Sequence, residues 1–369
     1  MAPPPKFRGN GEDWLDATSL HKNKARSSEK KKAHKSAQAD AIPYESANGV
    51  VVEVFPNQCR VRDLTQVAPD VACFYRRAQV WGHHRGPDNS WRERAPVAVG
   101  DRVLFSRTGG PLSRDGVVEG VSFRRNRLCR PAPAREGKVI QVLASNIDTL
   151  VIVMSTKMPE FTPGFVDRLI AAALFQGIEP VLLINKVDLV NQSPEDQALA
   201  ETWQPYFSVP GLKVMETTLR QSGVDIPGTV EKLRPWIDGK IALVCGKSGA
   251  GKTTLLKQLL QDTSLRIGDV SDATGKGKHT TTSAVLYDSS AKSGVFSAII
   301  DTPGVREFGL LDITPDDLLK GFPEFAVAAC PSEGCLHTDE DRESCQVFGV
   351  MPRHASYLRI RASILAGES

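Results

Sequence analysis

Two short motifs, and the order in which they stand, restrict the fold more than any other feature of the chain. Gly246-Lys247-Ser248-Gly249-Ala250-Gly251-Lys252-Thr253 follows the apolar run Ile241–Cys245 and leads into a helical pattern that begins at Thr253. This is G-x-x-x-x-G-K-[ST] between a strand and a helix, the setting in which the motif forms a phosphate loop. Its glycines let backbone N–H groups turn inward around phosphate oxygens, and the helix N-terminus adds partial positive charge. Residues Gly246 to Thr254 are therefore expected to cradle a nucleotide. Lys252 is expected to reach the β- and γ-phosphates and the Thr253 hydroxyl to bind Mg²⁺.

The second motif, Asn185-Lys186-Val187-Asp188, ends the apolar run Glu179–Ile184. A phosphate loop serves ATP and GTP alike, and this motif decides between them. Guanine presents N1–H and N2–H₂ side by side, and the Asp188 carboxylate can accept from both. Adenine would leave that carboxylate poorly paired, which is costly in a buried site. Asn185 is expected to tie the loops together while the Lys186 stem covers the ring.

A third motif, Asp301-Thr302-Pro303-Gly304, ends another apolar run. Asp301 is expected to hold Mg²⁺ through water, and the Gly304 N–H to meet the γ-phosphate. Between it and the phosphate loop lies Thr-Gly-Lys-Gly-Lys-His-Thr-Thr-Thr, residues 274–282. Thr281, or else Thr280, is expected to complete the Mg²⁺ shell. Val305 follows Gly304, where Ras-type proteins carry a water-orienting glutamine. Valine cannot orient water, so His279 is the candidate in sequence for that role, with a plain loop residue as the alternative.

The usual order is phosphate loop, switches, base reader. Here the base reader comes first, so the content is conventional and the starting point is not. The chain reads as a circular permutation, which is tolerated where the original termini lie close together at the surface. One consequence is that the segment after Asp301–Gly304 runs directly into the C-terminal part of the chain.

The flanking regions fill out a multidomain α/β reading of the 369 residues. Residues 1–46 hold seven Lys or Arg between Lys22 and Lys35 against one acid, Glu29, and are expected to be a mostly disordered tail when free. From Gly49, five short β-rich runs punctuated by Gly, Pro, Asn and Asp suggest an oligonucleotide-binding type of barrel over 47–132; a barrel without a ligand has the same spacing. Strands over 148–156, 179–185, 213–218, 241–246 and 294–304, with helices over 165–177 and 194–207, predict a mostly parallel, doubly covered sheet over 133–325. The basic runs, the tail and Phe123–Arg135 with arginines 124, 125, 127 and 130, are candidate phosphate-contacting surfaces. In the last segment, 326–369, Cys330, Cys335, His337 and Cys345 offer three thiolates and one imidazole, a closed structural zinc set, before a final helix. No apolar stretch reaches the roughly 18 residues of a membrane span, and the N-terminus has no apolar core of a secretory signal.

Together, the barrel, the permuted motifs, "DTPGVREFG" and the Cys-Cys-His-Cys set with its terminal helix resemble the ribosome small subunit-dependent GTPase A (RsgA) family over about residues 47–369. The resemblance implies an oligonucleotide-binding barrel and GTP hydrolysis to GDP stimulated by the small ribosomal subunit. It also implies rRNA as partner, a role in late maturation of that subunit in the cytoplasm, no membrane, and a monomer. The rival is an RNA-binding chaperone module whose hydrolysis is incidental. Two features depart from the family pattern: the spacing before Cys345 is longer, and "METTLRQSG" replaces the usual Ser-Ala of the second base-contacting loop.

Overall fold

Strands β1 (Gly49–Phe55), β2 (Gln58–Asp63) and β3 (Val71–Phe74) form an antiparallel meander, with alternating burial along β2 and β3. The structure is a computed structural model that describes residues 41–65, 68–75, 91–132, 138–219, 228–261, 284–289, 296–302, 310, 313–328, 330–331, 334–339 and 342–367. After the short strand β4 (Trp91–Glu93), β5 (Arg102–Arg107) and β6 (Asp115–Val121) complete the barrel. β3 pairs with β6, β6 with β5, and β5 with β1, so the sheet closes on itself. Val51, Cys59, Val61, Cys73, Val103, Phe105 and Val118 fill the interior. The expected five-stranded barrel is thus present.

Strands β7 (Arg127–Ala132) and β8 (Lys138–Ser145) pair antiparallel, and β4 adds to β8. The boundary expected at 132/133 lies between β7 and β8, which pair with each other. The arginines at this junction have partners within the chain. Arg124 is buried and donates to both Glu93 oxygens (2.9 and 2.7 Å) and both Asp101 oxygens (2.7 and 2.8 Å). Burial alone would lower its pKa, but the two carboxylates hold it above the ordinary value. Arg127 pairs with Glu93, Arg125 with Asp148, and Arg130 with Gln141. Arg127 and Arg130 thus pair within the β4-β8-β7 sheet, and Arg124 is committed to acids of its own chain.

The nucleotide-binding half is built on β9 (Thr149–Ser155), β10 (Glu179–Asn185), β11 (Lys213–Glu216) and β12 (Ile241–Cys245), followed by β13 (Val285–Asp288) and β14 (Ala298–Asp301). The order β11-β10-β9-β12-β14 is parallel throughout, and β13 joins antiparallel to β14. Alternation divides each strand between two cores. Leu150, Ile152, Leu182, Ile184 and Leu243 pack with α1 (Pro163–Phe175), while Val151, Val153, Leu183 and Val244 pack with the helices of the other face. The helix expected over 194–207 is instead α2 (Pro194–Ala200) and a 3₁₀ turn at Gln204–Ser208. Pro205 supplies no N–H and crowds the preceding turn, which favours a break there. Helices α3 (Thr229–Ile237) and α4 (Lys252–Gln261) contribute Leu233, Ile237, Leu255 and Leu259 to the second core.

The final helix α5 (His354–Leu365) closes the C-terminal module against α1. Just before it, Arg353 donates to Asp167 on α1 (2.7 Å) and to Glu324 (2.7 Å), under the ring of Phe322 at 4.5 Å. No helix among the described residues is long and apolar enough to cross a membrane.

Candidate nucleotide site and metal centre

The phosphate loop leaves β12 and enters α4, and two of its glycines are required by close approach. Gly246 sits at φ +144°, where a Cβ would lie 1.9 Å from the Val153 carbonyl oxygen. Gly251 sits at φ +111°, where a Cβ would lie 2.2 Å from Asn185 Nδ2. Lys252 is buried, and its amino group donates to the Gly246 and Lys247 carbonyls, each at 2.8 Å. Burial lowers its pKa, against the pull of Cys245 and Asp301. Asp301, at the end of β14, is raised above the usual carboxylate range by burial, with Lys252 and a backbone N–H opposing. A half-buried carboxylate facing a buried lysine is a chemically sensible place for a divalent cation and phosphate charge to meet. Thr302 ties this strand end to β12 by donating to the Val244 carbonyl at 3.0 Å.

Asn185 links three loops. Its Nδ2 donates to the Ala250 carbonyl of the phosphate loop (2.8 Å), and its Oδ1 accepts from the Leu219 N–H (2.8 Å). Lys186 takes a left-handed conformation at φ 64°, and its carbonyl accepts from the Thr156 hydroxyl at 2.7 Å. Its amino group donates to the Met158 carbonyl. Lys247 likewise reaches back to the Thr162 hydroxyl, so the β9–α1 connection braces both loops. Val187 is partly buried against the first core. The Asp188 Oδ1 accepts from the Thr218 hydroxyl at 3.0 Å.

Thr218 is a residue that the sequence reading did not assign. "METTLRQSG" lacks the expected Ser-Ala, yet Thr217-Thr218-Leu219 lies beside the base reader. Thr217 is anchored to Thr229 (2.6 Å between hydroxyls). The available signal was a pair of hydroxyls just after a strand that neighbours the base-reading strand. Ser248, Gly249, Thr253 and Thr254 take their places in the same loop and the first turn of α4. The remaining expected residues, His279, Thr280, Thr281, Gly304 and Val305, lie outside the described residues, as does the tail through residue 40.

In the C-terminal module, the ligand atoms of Cys330, Cys335, His337 and Cys345 lie within 4.8 Å of one another. His337 Nδ1 is 3.7, 3.4 and 3.3 Å from the three sulfurs, and the Cys330 and Cys345 sulfurs are 4.0 Å apart. A zinc tetrahedron with ordinary bond lengths has edges of about 3.5 Å between N and S and about 3.8 Å between sulfurs. The donor set therefore fits zinc by geometry as well as by chemistry. His354 contacts the His337 carbonyl at 2.8 Å, and the Tyr357 hydroxyl donates to the Leu336 carbonyl at 2.7 Å, so α5 holds the ligand loop.

The family model described as RsgA GTPase matches residues 121–311, more than half of the chain. The chain belongs to the RsgA GTPase family. It is a GTP hydrolase with a circularly permuted fold. Similar curated proteins named small ribosomal subunit biogenesis GTPase RsgA include one from Flavobacterium johnsoniae, 33% identical over 275 residues, covering 72% of this chain and 80% of that protein. Another, from Proteus mirabilis, is 35% identical over 260 residues, covering 68% and 69%. Among solved structures, YjeQ from Thermotoga maritima aligns over 86% of this chain and 98% of its own, with a TM-score of 0.57 and 24% identity. The circularly permuted GTPase YloQ aligns over 86% and 95%, with a TM-score of 0.56 and 21% identity. At those identities the two structures speak for the fold shared with the RsgA family.

Proposed function

We propose that the chain binds the small ribosomal subunit through its rRNA, is stimulated by it to hydrolyse GTP to GDP and phosphate, and acts in late maturation of that subunit in the cytoplasm. The observation that carries this is the Asn185 bridge between base reader and phosphate loop, in a chain that also holds a closed Cys₃His set. The curated relatives named above carry subunit biogenesis in their names, which supports the partner.

In this reading Asp188, steadied by Thr218, accepts from the guanine N1–H and N2–H₂, while Lys186 and Val187 line the base. The backbone of Gly246 to Thr254 and the Lys252 amino group bind the phosphates. Thr253, Asp301 and Thr281 hold Mg²⁺, which when bound neutralises phosphate charge and orients the nucleotide. Gly304 offers its N–H to the γ-phosphate. Val305 cannot orient water, so His279 takes that part once the subunit holds its segment in place. The gain comes from positioning and electrostatics, because phosphoryl transfer asks little covalent chemistry of the protein. Zinc on Cys330, Cys335, His337 and Cys345 is structural, leaving no open coordination position. The protein works as a monomer of tail, barrel, GTPase unit and zinc module.

The test is the GTPase rate with and without purified small subunits. A slow intrinsic rate that rises severalfold on adding subunits is expected. Equal rates would refute stimulation and favour an RNA-binding module with incidental hydrolysis.

A further inference from the structure

The β13–β14 hairpin ends at Asp301, and the barrel grips it at three points. Glu53 of β1 pairs with Val285 of β13, and Val285 pairs on its other side with Asp301. A barrel residue is thus two strands from a carboxylate of the nucleotide site, in one transverse row. Further along the hairpin, Arg62 of β2 donates through Nη1 to Asp288 at 2.8 Å, while its Nε and Nη2 are taken by Asp70 of the barrel. Beyond it, the Arg102 guanidinium of β5 lies between two rings, Tyr44 at 5.4 Å and Phe296 at 5.5 Å. Phe296 stands just ahead of β14.

These contacts are of three kinds: a backbone pair, an ion pair and a cation sandwich. They bind one hairpin to one barrel. A hairpin pinned at both ends cannot shift along its axis without moving the barrel or breaking a contact. The ion pair is partly shielded, with side chains 21% and 33% exposed, so it is more than a solvated surface contact.

We propose that Arg62 and Asp288 are a positioning pair that couples the barrel to the β13–β14 hairpin, and through it to Asp301, so that the barrel and the nucleotide site respond to each other's state. The barrel's engagement with RNA then reaches the nucleotide site through this hairpin. This last step rests on the subunit-binding reading above, whereas the coupling between barrel and hairpin does not.

The discriminating variant is Asp288→Asn, which removes the charge facing Arg62 and leaves the Arg62–Asp70 pair intact. Asp288→Glu is the conservative rescue. In the full-length free protein, amide hydrogen exchange is compared between GDP and a non-hydrolysable GTP analogue. Protection in β1 and β2 should respond to the nucleotide in the wild type. The response should shrink clearly in Asp288→Asn, where two of the three grips remain, and return in Asp288→Glu, with protection in β12 and α4 unchanged. In the second arm, the subunit-stimulated rate of Asp288→Asn should fall by about threefold to thirtyfold, the range of typical coupling effects, with intrinsic rate and GTP affinity within about twofold of wild type. A barrel indifferent to nucleotide in the wild type, or a response undiminished in Asp288→Asn, would overturn the proposal. So would equal losses of intrinsic and stimulated rates, which mean a merely structural role. If wild type responds in exchange but shows no stimulation, the coupling stands and the subunit reading falls.

Discussion

Gly251→Ala tests the central joint of the site. The new methyl would stand 2.2 Å from Asn185 Nδ2, about 1.2 Å short of ordinary contact. Asn185 is 1% exposed and has no room to give without leaving Ala250 and Leu219. Two buried hydrogen bonds at about 1 kcal/mol each are then at stake. The φ of +111° adds strain of roughly 1–3 kcal/mol for a residue with a side chain. Part of this appears as lost stability. The part that appears in nucleotide binding should reach about 2.7 kcal/mol, a hundredfold rise in the Kd for GDP. Gly249→Ala is the matched control. Its φ is +81°, but the nearest atom, Pro159 Cδ, is 3.5 Å away, so only strain remains. Strain of about 1–2 kcal/mol would cost roughly tenfold. The assay is titration with a fluorescent GDP analogue, with circular dichroism to establish folding. If the two variants weaken binding equally, the reasoning that Gly251 exists to make room for Asn185 is wrong.

Other outcomes follow from the same geometry. Asp188→Asn should weaken GTP binding by about 1–3 kcal/mol and favour xanthine nucleotides, read by competition binding. Cys335→Ala should release zinc, measured by elemental analysis, and loosen the C-terminal module while nucleotide binding survives. Arg353→Ala strands Asp167 and Glu324 in a buried setting and should cost about 3–5 kcal/mol in denaturant unfolding; a loss under about 1 kcal/mol would mean that the network is solvated. His279→Ala should lower the subunit-stimulated rate far more than the intrinsic rate, and no change in either would assign the water to another group.

What the sequence made legible is what short segments encode by themselves. Glu179–Asn185 is a strand over the very residues that its apolar run suggests, because a fully buried parallel strand needs no partner information to be recognised. The phosphate loop is readable because its glycines report backbone geometry directly. Contacts across long separations were not readable. Within the basic run at 123–135, the pairing of Arg124 could not be foreseen, because the acids that neutralise it sit 23 and 31 residues away, with nothing in their own neighbourhood to mark them. Arg62 finds Asp288 across 226 residues, and Arg353 finds Asp167 across 186. Thr218 was missed for a different reason: its role needs only a hydroxyl near Asp188, and a two-residue signature built on Ser-Ala is too narrow a description of that need. The break within 194–207 was in plain view at Pro205 and was outweighed by the helical composition around it.

The joining of β1 to β13 also bears on how this molecule avoids unwanted company. In a sheet ordered β11-β10-β9-β12-β14-β13, strand β13 would otherwise be a border, a row of open amides and carbonyls ready to template another chain. The barrel occupies the Val285 end of that border with a strand of the same polypeptide. The opposite border, β11, is only four residues long and carries Lys213 and Glu216 at its ends, a poor template for strand addition. A circular permutant of a nucleotide-binding sheet could easily have left a sticky margin; here one margin is plugged by an appended module and the other is short and charged. The chain should therefore resist edge-to-edge association at high concentration, and removing the barrel should expose β13 and make the remainder prone to aggregate.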